Sequence, residues 1–332
     1  MTNEKWKIAF YGEEDFAERM KGSVTPWLYQ NVVSGTTLSL DGARLQYYYA
    51  LNPERGKTIT FVHGFCEFYG KYHEMMHLFY QAGYSVFFVE LRGHGLSKRL
   101  VSDPDLVHVN SFNEYLDDLF AFQYQIVQPL TRGDVHILFG HSMGGCISTL
   151  FLERYPKFFD KAILSSPMLE LDFRTSDWKL QALAMVSTAP NLNSRPSPGF
   201  HPFNPKPDFE HSSAASEPRY MYQFNQRLAS EKYHMSGSSF GWTRAAYTAM
   251  QEAVDYAGDI RIPLLILQAE SDHLVLPGGQ QLVAERAKNA AIMKIPGSKH
   301  EIFNSKTEAR ELYWQVIFTF LETPVSALPD PE

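Results

Sequence analysis

Cysteine is nearly absent from this chain, with only Cys66 and Cys146 in 332 residues. Two cysteines this far apart provide neither a disulfide framework nor the spacing of a zinc site, so packing must hold the fold and a reducing compartment is expected. No stretch of roughly 18 consecutive apolar residues occurs, and no bilayer-spanning segment is expected. The N-terminal residues from Met1 to Lys7 are not followed by an uninterrupted apolar run, and Glu13, Glu14 and Asp15 come soon after. They are not read as a secretory signal. The formal charge of −7 is offset by no block of Lys or Arg, which argues against a nucleic-acid partner. Internal repeats and long low-complexity tracts are also missing. The expectation is a cytoplasmic protein.

Apolar residues make up 44% and aromatics 14%, enough for a large core. Thr37 to Leu40 and Ala43 to Tyr49, separated by Asp41-Gly42, read as a hairpin with a two-residue turn. Beyond it, strands apolar along their whole length alternate with amphipathic helices. The strands are Thr58 to Val62, Ser85 to Glu90, Val135 to Phe139, Lys161 to Ser165, Pro263 to Gln268 and Ala291 to Ile295. Helices are expected over about Lys71 to Gln81, Phe112 to Val127 (opened by a Ser111 to Glu114 capping box), Cys146 to Arg154, Gly279 to Ala287 and Thr307 to Leu321. This rhythm predicts the α/β class: an eight-stranded, mostly parallel sheet with helices on both faces. Residues 167–242 break it with a Pro-rich link from Asn193 to Pro207 and helix-like pieces at Trp178 to Val186 and Tyr220 to Ala229. They read as a lid inserted between core segments 1–166 and 243–332, over the carboxyl ends of the strands, where open α/β sheets bind ligands.

Gly140-His141-Ser142-Met143-Gly144-Gly145 lies between the Val135 strand and the Cys146 helix. A serine on such a strand-to-helix turn projects from a strained backbone, and small neighbours let strand and helix approach closely. An activated serine needs a base, and the base needs an orienting acid, in the chain order Ser, Asp or Glu, His. Asp272 follows the strand ending at Gln268 and His300 follows the strand ending at Ile295. Loops leaving the carboxyl ends of these strands converge on the edge carrying Ser142, so Ser142, Asp272 and His300 are the candidate catalytic residues. Glu270 competes for the acid, and His273 and His141 for the base; His273 adjoins the acid too closely, and His141 should point away from Ser142. The backbone N–H groups of Met143 and of Phe65, in His63-Gly64-Phe65 after an early strand, are the candidate oxyanion donors. The glycine-rich Leu91 to Ser97 loop lacks a phosphate-loop ending and reads as a structural turn, with Arg92 and His94 in supporting bonds. Cys66 and Cys146 read as small buried fillers.

Taken together, His63-Gly64-Phe65-Cys66-Glu67, Lys71-Tyr72, the Arg92 to Ser97 loop and the Ser142 motif resemble the monoacylglycerol lipase and lysophospholipase branch of the α/β-hydrolases. Asn110 to Leu119 and Gly145 to Tyr155 are similar to bacterial lysophospholipases of the inner-membrane, L-two type. The resemblance implies hydrolysis of the acyl ester of a lysophospholipid or monoacylglycerol by Ser142, Asp272 and His300, with no cofactor and no metal. It also implies peripheral association with the cytoplasmic face of a bacterial inner membrane. Trp178, Leu183 and Met221, with Leu180, Met185, Val186 and Tyr222, are residues of the lid that either line an acyl slot or pack the lid onto the body. The residues alone leave monoacylglycerol lipase and general carboxylesterase open as alternatives, and a ligand-binding protein that keeps the fold as a non-enzymatic one.

Overall fold

The computed structural model describes residues 12–171 and 192–323, with the backbone of two short paired strands, Thr2–Asn3 and Ile8–Ala9. Eight strands form the central sheet: β1 Val33–Leu38, β2 Arg44–Ala50, β3 Lys57–Val62, β4 Ser85–Glu90, β5 Val135–His141, β6 Lys161–Ser165, β7 Leu264–Ala269 and β8 Ala290–Ile295. Their spatial order is β1-β2-β4-β3-β5-β6-β7-β8. Only β2 runs against the rest; β3 to β8 pair in parallel. The expected eight-stranded, mostly parallel sheet is present.

Strands β3 to β7 read as continuously apolar because both faces are covered, whereas β8 at the sheet edge is mostly exposed. Along β4 the side chains alternate between two cores. Val86 and Phe88 join a layer with Met75 and Phe79 of α1 (His73–Gln81) and Trp314 and Phe318 of α7 (Thr307–Glu322). Phe87 and Val89 face the opposite layer. That layer contains Leu119 of α2 (Asn113–Phe122), Ile147 of α3 (Met143–Arg154), Trp242 of α5 (Phe240–Asp255) and Val283 of α6 (Pro277–Arg286). α4 (Glu217–Leu228) lies in the inserted segment and opens with proline in its first turn, three residues before the expected start.

Three local expectations change. The hairpin turn is not a two-residue Asp-Gly turn: Gly42 N–H donates to Ser39 O and Ser39 N–H to Ala43 O, so Leu40, Asp41 and Gly42 form the loop. Only Gly42 takes positive φ (83°). Asp41 stays out of the left-handed region because its carboxylate accepts the Ala43 N–H and faces Arg92. The helix from Phe112 to Val127 is α-helical only to Phe122 and continues as a π turn, Gln123–Val127, where Gln123 donates to Thr60 Oγ1 at 2.8 Å. The capping box closes from one side: Glu114 Oε1 accepts the Ser111 N–H, but Ser111 Oγ takes the Asn113 N–H rather than that of Glu114.

The expected helix from Trp178 to Val186 lies outside the described residues. α4 is clamped to the body. Arg219 donates to both oxygens of Glu74 on α1 at 3.0 Å, and Arg310 of α7 pairs with the same carboxylate at 3.0 Å. All three groups are buried. Glu74 loses solvation, yet the two guanidinium groups hold its pKa below the ordinary carboxylate value.

Candidate active site

β5 runs two residues past the predicted end, to His141, and α3 starts at Met143. One residue makes the reversal. Ser142 therefore adopts φ 53°, ψ −120°, a left-handed conformation that side chains normally avoid. Backbone bonds hold it there. Ser142 N–H donates to Ser165 O at 3.1 Å, and Ser142 O accepts from Gly145 N, Cys146 N and Met168 N at 2.8, 3.2 and 2.9 Å. The close approach depends on Gly144, where a Cβ would lie 2.1 Å from Val62 O. Ser142 keeps 9% of its surface accessible in an otherwise buried turn.

His300 follows β8 and is nearly buried. Its Nδ1 lies 2.7 Å from Asp272 Oδ2. The other Asp272 oxygen, Oδ1, accepts the Leu274 and Val275 N–H groups at 2.9 and 3.0 Å. Burial opposes a charge on Asp272, but the His300 contact and the two N–H donors prevail and depress its pKa. An ionised Asp272 accepts at both oxygens, so the Nδ1 facing it carries the proton and Nε2 is left with a lone pair. The imidazole centroid of His141, the neighbour of Ser142, is 5.0 Å from that of His300.

The competitors have other partners. Glu270 Oε2 accepts the Gly297 N–H at 2.9 Å and pins the turn after β8. His141 Nδ1 bonds to Ser165 O at 3.0 Å, and burial lowers the pKa of the ring to about 4. His273 is exposed, and the partial desolvation of its ring lowers its pKa too.

Met143 occupies the first helical position of α3, where an N–H has no partner within the helix. Phe65 follows Gly64 in a turn closed by Glu67 N–H to Gly64 O. Among the described residues neither the Met143 nor the Phe65 N–H has an acceptor. A Cβ at Gly64 would lie 3.1 Å from Ser142 Cβ, so the two turns face each other at close range. The Phe65 ring packs on Trp242 with centroids 4.2 Å apart.

Arg92 and His94 make the expected supporting bonds within their loop and to its neighbours. Arg92 is buried and bonds Asp118, Asp41, Glu114 and Ser39. His94 Nδ1 meets Arg92 O at 3.1 Å. Cys146 is buried in the core, and burial pushes the Cys66 thiol up to about 12.

Trp178 and Leu183, like Leu180, Met185 and Val186, lie outside the described residues. Met221 is half-buried on α4. Of its two expected roles Tyr222 takes the packing one: its hydroxyl is 2.8 Å from His73 Nδ1 and its ring packs edge-on against Phe16. It borders a cavity of about 320 Å³ shared with Tyr29, Tyr48, Tyr69 and His73, which neither Ser142 nor His300 lines. A helix facing both ways can present only some of its apolar residues to a site, and sequence spacing does not tell which.

One group of functional interest carried no signal beyond a motif match. Buried Glu67 and Glu301 share Lys71, whose Nζ pairs with Glu67 Oε1 and lies 2.7 Å from Glu301 Oε1. Glu67, Lys71 and Tyr72 entered the sequence reading only through the family resemblance. Glu301 is remote in sequence.

Residues 53–307 match the family described as serine aminopeptidase, S33. The chain belongs to this α/β-hydrolase family. The hydrolase is 31% identical over 283 residues to lysophospholipase L2 of Escherichia coli, covering 80% of each protein. It is 26% identical over 254 residues to a monoacylglycerol lipase of Mycolicibacterium smegmatis, covering 74% of this chain and 81% of that protein. The crystal structure of Paleococcus ferrophilus monoacylglycerol lipase matches with a TM-score of 0.65 at 24% identity, over 83% of this chain and 98% of that one. A soluble variant of monoglyceride lipase from Saccharomyces cerevisiae matches at 0.70 and 17%, over 90% and 97%. At those identities the structures speak for the fold. The protein is an enzyme, a serine hydrolase of the lipase and esterase type. No helix among its described residues is long and apolar enough to cross a membrane.

Proposed function

We propose that this hydrolase cleaves the acyl ester of lysophospholipids, releasing a fatty acid and the glycerophospho-headgroup through an acyl-enzyme on Ser142. The observation that carries the reading is the 2.7 Å bond between Asp272 and His300, at the strand ends beside a serine in a left-handed turn. In this reading Ser142 Oγ attacks the ester carbonyl as its proton passes to His300 Nε2, and Asp272 stabilises the imidazolium. The carbonyl oxygen becomes an oxyanion between the Phe65 and Met143 N–H groups, each worth about 3 kcal/mol of barrier. Collapse expels the glycerophospho alcohol, which takes the proton from His300. Water then repeats the sequence against the acyl-enzyme and frees Ser142. The acyl tail lies beneath residues 167–242 acting as a lid, where Trp178, Leu183 and Met221 are its proposed contacts.

The choice of lysophospholipid over monoacylglycerol rests on the similarity to the Escherichia coli lysophospholipase, which exceeds that to the mycobacterial monoacylglycerol lipase. A fluorophosphonate should label Ser142, and Ser142→Ala should abolish labelling; a different labelled residue overturns the nucleophile. A panel of lysophosphatidylcholine, lysophosphatidylethanolamine, monoacylglycerol and p-nitrophenyl esters tests the substrate. The lysophospholipids should give the highest kcat/KM, and a higher value for monoacylglycerol refutes the substrate assignment while leaving the chemistry intact.

A further inference from the structure

We propose that Glu67 is a positioning residue that aims the Phe65 N–H at the reacting carbonyl; this rests on the reading of Phe65 as an oxyanion donor. Glu67 closes the Gly64–Glu67 turn from two directions. Its backbone N–H donates to Gly64 O at 3.3 Å, while its Oε2 accepts the Gly64 N–H at 2.6 Å. Phe65 and Cys66 are the two residues inside this ring. Cys66 is forced to φ 57°, an unfavourable conformation for a side-chain-bearing residue. Such a conformation persists only where its surroundings over-determine it. The Phe65 N–H, the next donor along, has no acceptor among the described residues.

The carboxylate is itself held on several sides. Tyr72 hydroxyl donates to Oε2 at 2.6 Å, and Lys71 binds Oε1. His141 Nε2 lies 3.5 Å from Oε1, on the residue that precedes Ser142. Lys71 also pairs with Glu301, which directly follows His300 in the chain. Glu301 Oε2 in turn accepts from Asn304 at 2.7 Å and from Gln223 of α4 at 3.1 Å. The fixed carboxylate therefore spans the segments carrying the oxyanion donor, the nucleophile and the base. Burial works against its ionisation, yet Lys71, His141 and Tyr72 keep Glu67 charged far below the ordinary carboxylate range. A charge that costs this much desolvation is a poor device for stability alone. As a rigid acceptor for one backbone N–H it has a specific use. No water or mobile group needs to reorganise when the oxyanion forms.

The test separates aim from general structure. Glu67→Ala removes the acceptor for Gly64 N–H and lets the turn relax. It should lower kcat roughly a hundredfold or more, slow fluorophosphonate labelling of Ser142 in parallel, and leave KM within about threefold. Glu67→Gln keeps an oxygen for Gly64 N–H and should recover most of the loss, to within about tenfold of the parent enzyme. If Glu67→Ala does not fold, Glu67→Gln decides alone: kcat and labelling should fall together by about threefold to tenfold with KM unchanged. Parent-like kcat and labelling in Glu67→Ala, or in Glu67→Gln where that variant decides alone, overturn the proposal, as does a loss confined to KM. Absence of labelling in the parent enzyme instead refutes the reading of Ser142.

Discussion

Replacing Asp272 by Asn should disable the enzyme through the orientation that the backbone imposes on the new amide. Asp272 Oδ1 accepts two N–H groups, from Leu274 and Val275. An amide nitrogen cannot accept them, so the Asn oxygen must take the Oδ1 position. Its NH₂ is then turned toward His300 Nδ1, where Oδ2 now sits at 2.7 Å. Two donors cannot face each other, so His300 shifts its proton from Nδ1 to Nε2. The imidazole then presents an N–H to Ser142 in place of a lone pair and ceases to be a base. The analogous tautomer error in a serine protease lowers kcat about 10⁴-fold, or about 5.4 kcal/mol of barrier at about 1.36 kcal/mol per tenfold. Glu270→Gln serves as the counterpart, because Glu270 binds Gly297 N–H and a Gln oxygen can do the same. Initial rates on a p-nitrophenyl ester, with circular dichroism to verify folding, should give a loss near 10⁴ for Asp272→Asn and less than about threefold for Glu270→Gln. More than a tenth of the parent activity in Asp272→Asn, or an equal collapse in Glu270→Gln, would falsify the assignment of the acid.

Two further outcomes follow from packing and burial. Gly144→Ala puts a Cβ 2.1 Å from Val62 O, a backbone atom at the carboxyl end of the central strand β3. α3 must retreat by about 1 Å, which should cost about 3 kcal/mol of stability and carry the Met143 N–H off target, lowering kcat roughly a hundredfold. Thermal melts and initial rates check both, and a parent-like rate would contradict the role given to the turn. Burial, with Asp259 and Glu252 nearby, raises Glu153 to about 9, and its Oε1 has no partner among the described residues. A carboxyl with a raised folded-state pKa stabilises fully below about pH 4.5, its unfolded value, and loses that contribution as pH rises toward 9. Glu153→Gln should therefore melt near the parent temperature at pH 5 and progressively above it at higher pH, by about 2 kcal/mol at pH 8 after discounting for solvent contact. A melting difference that stays flat or shrinks with pH rejects this.

Residues adjacent in sequence carried most of the fold. Val86 to Val89 read as strand because both faces of β4 are buried, and that requirement is written into every position of the run. Asp41-Gly42 marked a turn correctly but not its geometry, because the deciding partner of Asp41 is Arg92, fifty-one residues away. Glu270 and Asp272 were separable only weakly in one dimension. Their loop turns one carboxylate to the Gly297 N–H and the other to His300. The role of Tyr222 stayed open between acyl lining and packing because hydrophobic spacing identifies a helix without saying what each side of it meets.

The chain by itself determined that a serine would stand on a strand-to-helix turn with an acid and a histidine after later strands. Those are matters of local pattern and chain order. Tertiary structure alone decided how charges remote in sequence are shared: Glu67, Lys71 and Glu301 around the Gly64–Glu67 turn, and Arg219, Glu74 and Arg310 beneath α4. A buried charge is tolerable only beside its counter-charge, and which counter-charge it meets depends on how distant elements dock, which no local pattern encodes.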